Sequence, residues 1–361
     1  MNFERDNIRK MDGYAAGEQP EDEQTIKLNT NENPYPPSPK VDQTIKHLAG
    51  AALRRYPPPT ALAFRSLAAS IHNVGTENII ATRGGDELLR LLLTTFADPS
   101  DVITMSEPTY SLYKVLAQIQ DCQILSIPLI DGRVLPADFA DQANAAKAKL
   151  TFVVNPHAPS GHLTSAEKIR ELASSLNSIL LVDEAYVDFV DPQLGYNCID
   201  MINEFDNLIF LRTLSKGYSL AGLRFGYGIG HASLIQPMMD KTRDSYNLDN
   251  FSQQIAHAAL SDQAHARETW QKVRQERSRL SGLLSQLGLV SEPTETNFLL
   301  CQVQQWCDIS AENIYLALKQ NKVLVRYFNA PGLTDKIRIT IGTAEENDQL
   351  IRILREVLAN N

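Results

Sequence analysis

Between about residue 60 and residue 245, short apolar runs alternate with stretches of helical spacing. The runs are Ile79-Ile80-Ala81, Val102-Ile103-Thr104-Met105, Leu150-Thr151-Phe152-Val153-Val154, Ile179-Leu180-Leu181-Val182 and Leu208-Ile209-Phe210-Leu211. Each is β-rich and bounded by turn residues or polar groups, as strands buried on both faces are. Between them, helical spacing covers 61–72, and Leu88-Leu89-Arg90-Leu91-Leu92-Leu93 follows Gly84-Gly85. Strands alternating with helices predict a doubly wound α/β sheet.

The flanks read differently. The first forty residues are polar and proline-rich and end in Asn29-Thr30-Asn31-Glu32-Asn33-Pro34-Tyr35-Pro36-Pro37-Ser38-Pro39. Such a run cannot continue a helix and predicts an extended arm. After about 260 come a charged helix around 262–287, apolar runs at 296–300, 323–326 and 336–341, and a helix at 310–320. The final stripe of Leu350, Ile353, Leu354, Val357 and Leu358 follows Thr343-Ala344-Glu345-Glu346, a capping box. Fewer strands mixed with helices predict a smaller α+β domain. The expected organisation is an arm over 1–40 packing with the small domain, a large domain over 41–250 and a small domain over 251–361.

Composition narrows the function. The 361 residues are 43% hydrophobic and 21% charged with net charge −9, enough for a large buried core and poorly matched to a phosphate backbone. No uncharged apolar run approaches the roughly 20 residues that span a bilayer. The opening Met1-Asn2-Phe3-Glu4-Arg5-Asp6 lacks a secretory apolar stretch, and a cytoplasmic location is expected. Cys122, Cys198, Cys301 and Cys307 contain no CxxC pair, so neither a zinc site nor a disulfide framework is expected. No nucleic-acid or membrane partner and no metal is expected.

Ligands of open parallel sheets sit beyond the carboxyl ends of the strands, so what each strand ends on matters. Asp183-Glu184-Ala185-Tyr186 ends one run, Arg212-Thr213-Leu214-Ser215-Lys216-Gly217 another, and Asn155-Pro156 a third. The run at 102–105 leads into Ser106-Glu107-Pro108-Thr109-Tyr110, and that at 79–81 into Gly84-Gly85-Asp86. Gly84-Gly85-Asp86 opens a helix whose free N–H groups favour an anion, although a tight turn capped by Asp86 has the same sequence. Arg224, Thr213 and Ser215 offer further donors to a phosphate. Lys216, directly after a strand, is placed for a desolvated, Schiff-base-forming amine, while a surface lysine is the ordinary alternative. Asp183 is either a structural acceptor or the partner of a pyridine nitrogen, and Tyr110 either core or a ring stacked on a planar cofactor.

The order and spacing of these motifs resemble a known family. Thr213-Leu214-Ser215-Lys216-Gly217-Tyr218-Ser219-Leu220-Ala221-Gly222-Leu223-Arg224-Phe225-Gly226-Tyr227 resembles the lysine segment of fold-type-I aminotransferases, which bind pyridoxal 5′-phosphate (PLP), and Asp183-Glu184-Ala185-Tyr186 their pyridine segment. Leu28-Asn29-Thr30-Asn31-Glu32-Asn33-Pro34, with Pro37-Ser38-Pro39, is similar to the histidinol-phosphate aminotransferase group. The resemblance implies the type I PLP-dependent transferase fold and a transfer of an amino group between L-histidinol phosphate and 2-oxoglutarate, in histidine biosynthesis. It implies that Lys216 holds PLP and shuttles the proton, Asp183 pairs with the ring nitrogen, Tyr186 bonds the 3′ oxygen and Tyr110 stacks. Gly85, Asp86, Thr213, Ser215 and Arg224 would form the phosphate cup, and Tyr56 would reach the phosphate of the neighbouring subunit in a homodimer. Arg338 would fork the substrate carboxylate, Arg326 receive the substrate phosphate, and Tyr14 lie near the substrate side chain.

Two positions depart from the family pattern. Ala158 stands where the family has an Asn that bonds the 3′ oxygen, so Asn155 or His157 substitutes or Tyr186 acts alone. Pro34-Tyr35-Pro36-Pro37 lacks the usual Gly, which stiffens the arm. Three other functions share these motifs: an aminotransferase for aromatic or other amino acids, a PLP lyase such as threonine-phosphate decarboxylase, and a PLP-less binding module.

Overall fold

The computed structural model describes residues 3–359. Met1 and Asn2 of the expected arm, and Asn360 and Asn361 of the expected small domain, lie outside the described residues. The described strands are β1 (Ile26–Lys27), β2 (Ile79–Thr82), β3 (Val102–Glu107), β4 (Gln123–Pro128), β5 (Ala148–Val154), β6 (Ile179–Asp183), β7 (Leu208–Thr213), β8 (Gly226–Gly230), β9 (Leu289–Ser291), β10 (Phe298–Val303), β11 (Val323–Leu324), β12 (Arg326–Tyr327) and β13 (Lys336–Thr340).

Seven of these strands form one sheet in the order β2-β8-β7-β6-β5-β3-β4. β3 to β7 run parallel to their neighbours, whereas β8 is antiparallel to both β2 and β7. Side chains of a strand alternate between faces, and this alternation divides the interior in two. Met105, Phe152, Leu181 and Ile209 are matched in register across four strands and sit together in one apolar cluster. The next positions along, Val153, Val182 and Phe210, belong to the cluster on the opposite face. Such fully buried side chains contribute about 1.5–3 kcal/mol each, and they hold the strand ends in a fixed row.

Two strands escape the apolar pattern. β4, Gln123-Ile124-Leu125-Ser126-Ile127-Pro128, is an edge strand of which only Ile127 is fully buried. β8, Gly226-Tyr227-Gly228-Ile229-Gly230, is fully buried although its glycines look like a turn in the sequence. A Cβ at Gly228 would lie 2.9 Å from Leu88, and one at Gly226 would lie 2.8 Å from the backbone of Gly84. The glycines therefore let the helix Gly84–Phe96 close onto the strand.

Later in the chain, β12-β13-β10-β9 form an antiparallel sheet covered by the helices Gln263–Gln286, Ala311–Gln320 and Ala344–Ala359. The capping box is present: Glu346 accepts from the Thr343 N–H at 2.7 Å, and Thr343 accepts from the Glu346 N–H at 3.2 Å. The arm lies against this part of the chain, with β1 paired in parallel to β11 and the Thr340 N–H donating to the Leu28 carbonyl. The expected division at 250/251 cuts the first turn of the helix Asn250–Leu260, which packs on the helices Pro39–His47 and Leu62–His72.

Candidate active site

Because β3, β5, β6 and β7 run parallel, their carboxyl ends gather on one edge, and Asp183, Asn155 and Thr213 stand there at or just past a strand end. Asp183 closes β6 and is 5% exposed. The Tyr113 hydroxyl donates to its Oδ2 at 2.6 Å and the Ala185 N–H to its Oδ1 at 3.0 Å. Burial pushes this carboxyl up to about 6, against the pull of the two donors. Tyr113 was not found by sequence reasoning. Its position three residues after Tyr110 at the start of a helix reads as core, and its ring does pack on Phe152.

Lys216 lies past β7, half-buried, with Nζ donating to the Thr30 carbonyl of the arm at 2.7 Å and standing 5.9 Å over the Tyr186 ring. Burial and the cations Arg338, Arg224 and Lys27 push its ammonium down to about 8, with Glu32 opposing them. The Tyr186 hydroxyl accepts from Asn31 Nδ2 at 2.9 Å. Tyr110 packs edge-on against both Tyr113 and Tyr14, which brings Tyr14 to the same wall.

The glycine turn and Arg224 also converge. The helix Gly84–Phe96 has no side-chain cap, and Gly84 sits at φ +76° with space for a Cβ already filled by the Arg224 guanidinium at 2.8 Å. Arg224 donates to Ser215 Oγ at 3.3 Å and pairs with Asp86 at 3.2 Å, and Thr213 Oγ1 accepts the Ser215 N–H at 3.1 Å. Gly85, Asp86, Thr213, Ser215 and Arg224 thus form one cradle of N–H, hydroxyl and guanidinium donors, suited to a phosphate.

On the arm side, Arg326 and Arg338 face each other directly across the β12–β13 ladder. Like charges so placed repel. Phe328 lies 5.4 Å from one guanidinium and 5.3 Å from the other. Arg338 Nη2 donates to the Asn29 carbonyl at 3.0 Å, while its Nε is buried without a partner. Burial, reinforced by Arg326, lowers the Arg338 pKa.

Three candidates behave otherwise. Asn155 donates to the Thr164 carbonyl at 3.0 Å and to Tyr196 at 2.8 Å and accepts from the Thr164 N–H at 2.8 Å, so its amide is committed to its own loop. His157 is likewise held between Ser160 Oγ at 2.7 Å and the Pro108 carbonyl at 2.9 Å. Tyr56 is 81% exposed and stacks on Tyr246, and none of the contacts above includes it. Among the described residues no cluster of His, Cys, Asp and Glu could hold a metal ion.

The sequence matches the family model for aminotransferase class I and II over residues 23–354. It is 42% identical over 358 residues to histidinol-phosphate aminotransferase 1 of Nostoc sp., covering 99% of this chain and 98% of that protein. The corresponding protein of Trichormus variabilis is 41% identical over 358 residues, with 99% of each covered. Among solved structures, histidinol-phosphate aminotransferase from Sinorhizobium meliloti in complex with pyridoxal-5′-phosphate superposes with a TM-score of 0.91, covering 100% of this chain and 98% of that one at 23% identity. That likeness is one of fold.

Proposed function

The chain belongs to the class I and II aminotransferase family, and on that premise we propose that it moves an amino group between L-histidinol phosphate and 2-oxoglutarate with PLP held on Lys216. The observation that carries the reading is the register-matched pair Arg326 and Arg338 together with a half-buried lysine of lowered pKa. Two guanidinium groups that repel each other, one with a buried unpartnered Nε, call for anionic substrates: the doubly charged phosphate of histidinol phosphate in one half-reaction and the two carboxylates of 2-oxoglutarate in the other.

The residues present fit the cofactor. The donor cradle at Gly84 is closed to any side chain by Arg224, and Asp183 ends a buried strand with its orientation fixed by Tyr113 and Ala185. Bound there, PLP supplies an aldehyde carbon that bonds amines and a pyridine ring that withdraws electron density from the α-carbon. Asp183 would hold the ring-nitrogen proton. Lys216, about 8 rather than 10.5, is in part a free amine near neutrality and serves as nucleophile and then as carrier of the α-proton. Arg338 orients the α-carboxylate of the 2-oxoglutarate and glutamate pair, Arg326 the phosphate of histidinol phosphate, and Tyr14 and Tyr110 wall the side-chain path.

The reading includes a homodimer in which Tyr56 completes the neighbouring phosphate cradle, a cytoplasmic enzyme, and an arm over 1–40, a large domain over 41–250 and a small domain over 251–361. Among the described residues no helix is long and apolar enough to cross a membrane. Single-turnover absorbance spectroscopy tests the function. Histidinol phosphate converts the PLP form to the amino form, amino donors other than glutamate do so weakly, and 2-oxoglutarate restores it. Release of carbon dioxide without dependence on a keto acid overturns the reading in favour of a lyase.

A further inference from the structure

The side chains of the loop that follows β5 offer the cofactor's ring oxygen no free donor. The Ala158 side chain is apolar, and the polar side-chain atoms of Asn155 and His157 are taken by Thr164, Tyr196, Ser160 and Pro108. Among side chains that leaves the Tyr186 hydroxyl, and the direction of its single hydrogen then decides whether a side chain stabilises the oxygen.

The arm fixes that direction. Asn31 is 1% exposed and sits at φ +57°. Thr340 Oγ1 accepts from the Asn31 backbone N–H at 3.0 Å, which leaves the threonine's own hydrogen for Asn31 Oδ1 at 3.1 Å. With Oδ1 occupied as an acceptor, Nδ2 is the side of the amide that faces Tyr186, at 2.9 Å. The phenolic oxygen is therefore the acceptor in that bond, and its hydrogen is free for a different partner. Asn297 Nδ2 donates to the Asn31 carbonyl at 3.0 Å and holds the turn in place.

We propose that Asn31 is a positioning residue for the cofactor's ring oxygen: by filling the acceptor side of the Tyr186 hydroxyl, it commits the phenolic hydrogen to donation toward that oxygen. The proposal rests on the PLP reading above. It makes the chain Thr340, Asn31, Tyr186 a relay of oriented hydrogen bonds running from β13 through the arm to the pocket, in place of a donor at 158.

The test is an absorbance titration of the visible band of the PLP-loaded protein, with kinetics not required. A donor to the ring oxygen stabilises its negative charge and weakens the hold of the neighbouring imine nitrogen on its proton, so losing the donor raises the midpoint. Asn31→Gly keeps the left-handed backbone and is expected to raise the midpoint by about half to one pH unit, the scale of one hydrogen bond. Tyr186→Phe raises it at least as far, and adding Asn31→Gly to Tyr186→Phe changes nothing more. Thr340→Val, which releases the Asn31 amide from the other end, shifts the midpoint in the same direction and serves if Asn31→Gly does not fold. An unmoved midpoint in both Asn31→Gly and Thr340→Val, or a further shift on adding Asn31→Gly to Tyr186→Phe, overturns the proposal alone. A protein that develops no visible band with PLP overturns the functional reading, and this inference with it.

Discussion

Asp183 places a measurable burden on the cofactor-free protein. A carboxyl held at about 6 in the folded chain, against 3.8 when exposed, costs folding about 3 kcal/mol once the pH exceeds both values. The sign follows from proton counting. Below pH 4 the group is protonated folded and unfolded, and nothing is lost. Between 4 and 6 the folded chain keeps a proton that the unfolded chain has shed, so stability falls as pH rises, and above 6 the full deficit remains. Asp183→Asn removes the titration while keeping an acceptor for the Ala185 N–H. The cofactor-free variant should therefore be more stable than the parent at pH 7.5 by up to about 3 kcal/mol, with the advantage shrinking toward zero near pH 4. For 361 residues that corresponds to about 4 °C in thermal midpoint. The assay is paired scanning calorimetry of the two cofactor-free proteins from pH 4 to 8. With saturating PLP the order should invert, because a protonated ring nitrogen gives the carboxylate the counter-charge it lacks. An advantage that is constant with pH, or a variant less stable than its parent at pH 7.5, refutes the assignment of this cost to the carboxylate.

Other predictions follow from the same geometry. Arg326→Ala should raise KM for histidinol phosphate by 10-fold or more, on the order of one charge-assisted hydrogen bond, with little change for a donor lacking the phosphate; steady-state kinetics on both donors check this. In the cofactor-free protein, Lys216 should react with an amine-acylating reagent at half-maximal rate near pH 8, and Arg338→Leu should raise that midpoint, as read by peptide mass mapping across pH. Gly226→Ala puts a methyl 2.8 Å from the Gly84 carbonyl carbon and 2.9 Å from the Gly85 nitrogen. Since neither backbone atom can yield, it should destabilise by about 1–3 kcal/mol and weaken PLP retention, measured by calorimetry and equilibrium dialysis.

Much of the site was legible because it hangs on strand ends. Apolar runs locate the strands, and whatever follows them, Asp183, Lys216, Gly84-Gly85, must share an edge when the strands are parallel. The strands that escaped did so for local reasons. Gly226–Gly230 has the glycines of a turn because a helix start presses against it, and Gln123–Pro128 is half polar because it is an edge. Tyr113 was hidden for a different reason: its ring is core and only its hydroxyl works for Asp183, a division no pattern of hydrophobicity can express. Asn31 stands out in the sequence only as part of a motif, since its partners Tyr186 and Thr340 are 155 and 309 residues away. The roles open to Asn155 and His157 closed only when their partners could be seen.

The pairing of Ile26–Lys27 with Val323–Leu324 has a consequence for biosynthesis. The carbonyl that receives the Lys216 ammonium belongs to Thr30, in a segment whose ladder partners lie about 300 residues further along the chain. At about 5–20 residues per second, the arm emerges from the ribosome tens of seconds before anything exists for it to pair with. A nascent chain can bury the central sheet in that interval, but the lysine's surroundings are finished only after the residues near 340 have been made, so competence to retain cofactor should follow completion of the central sheet and not accompany it.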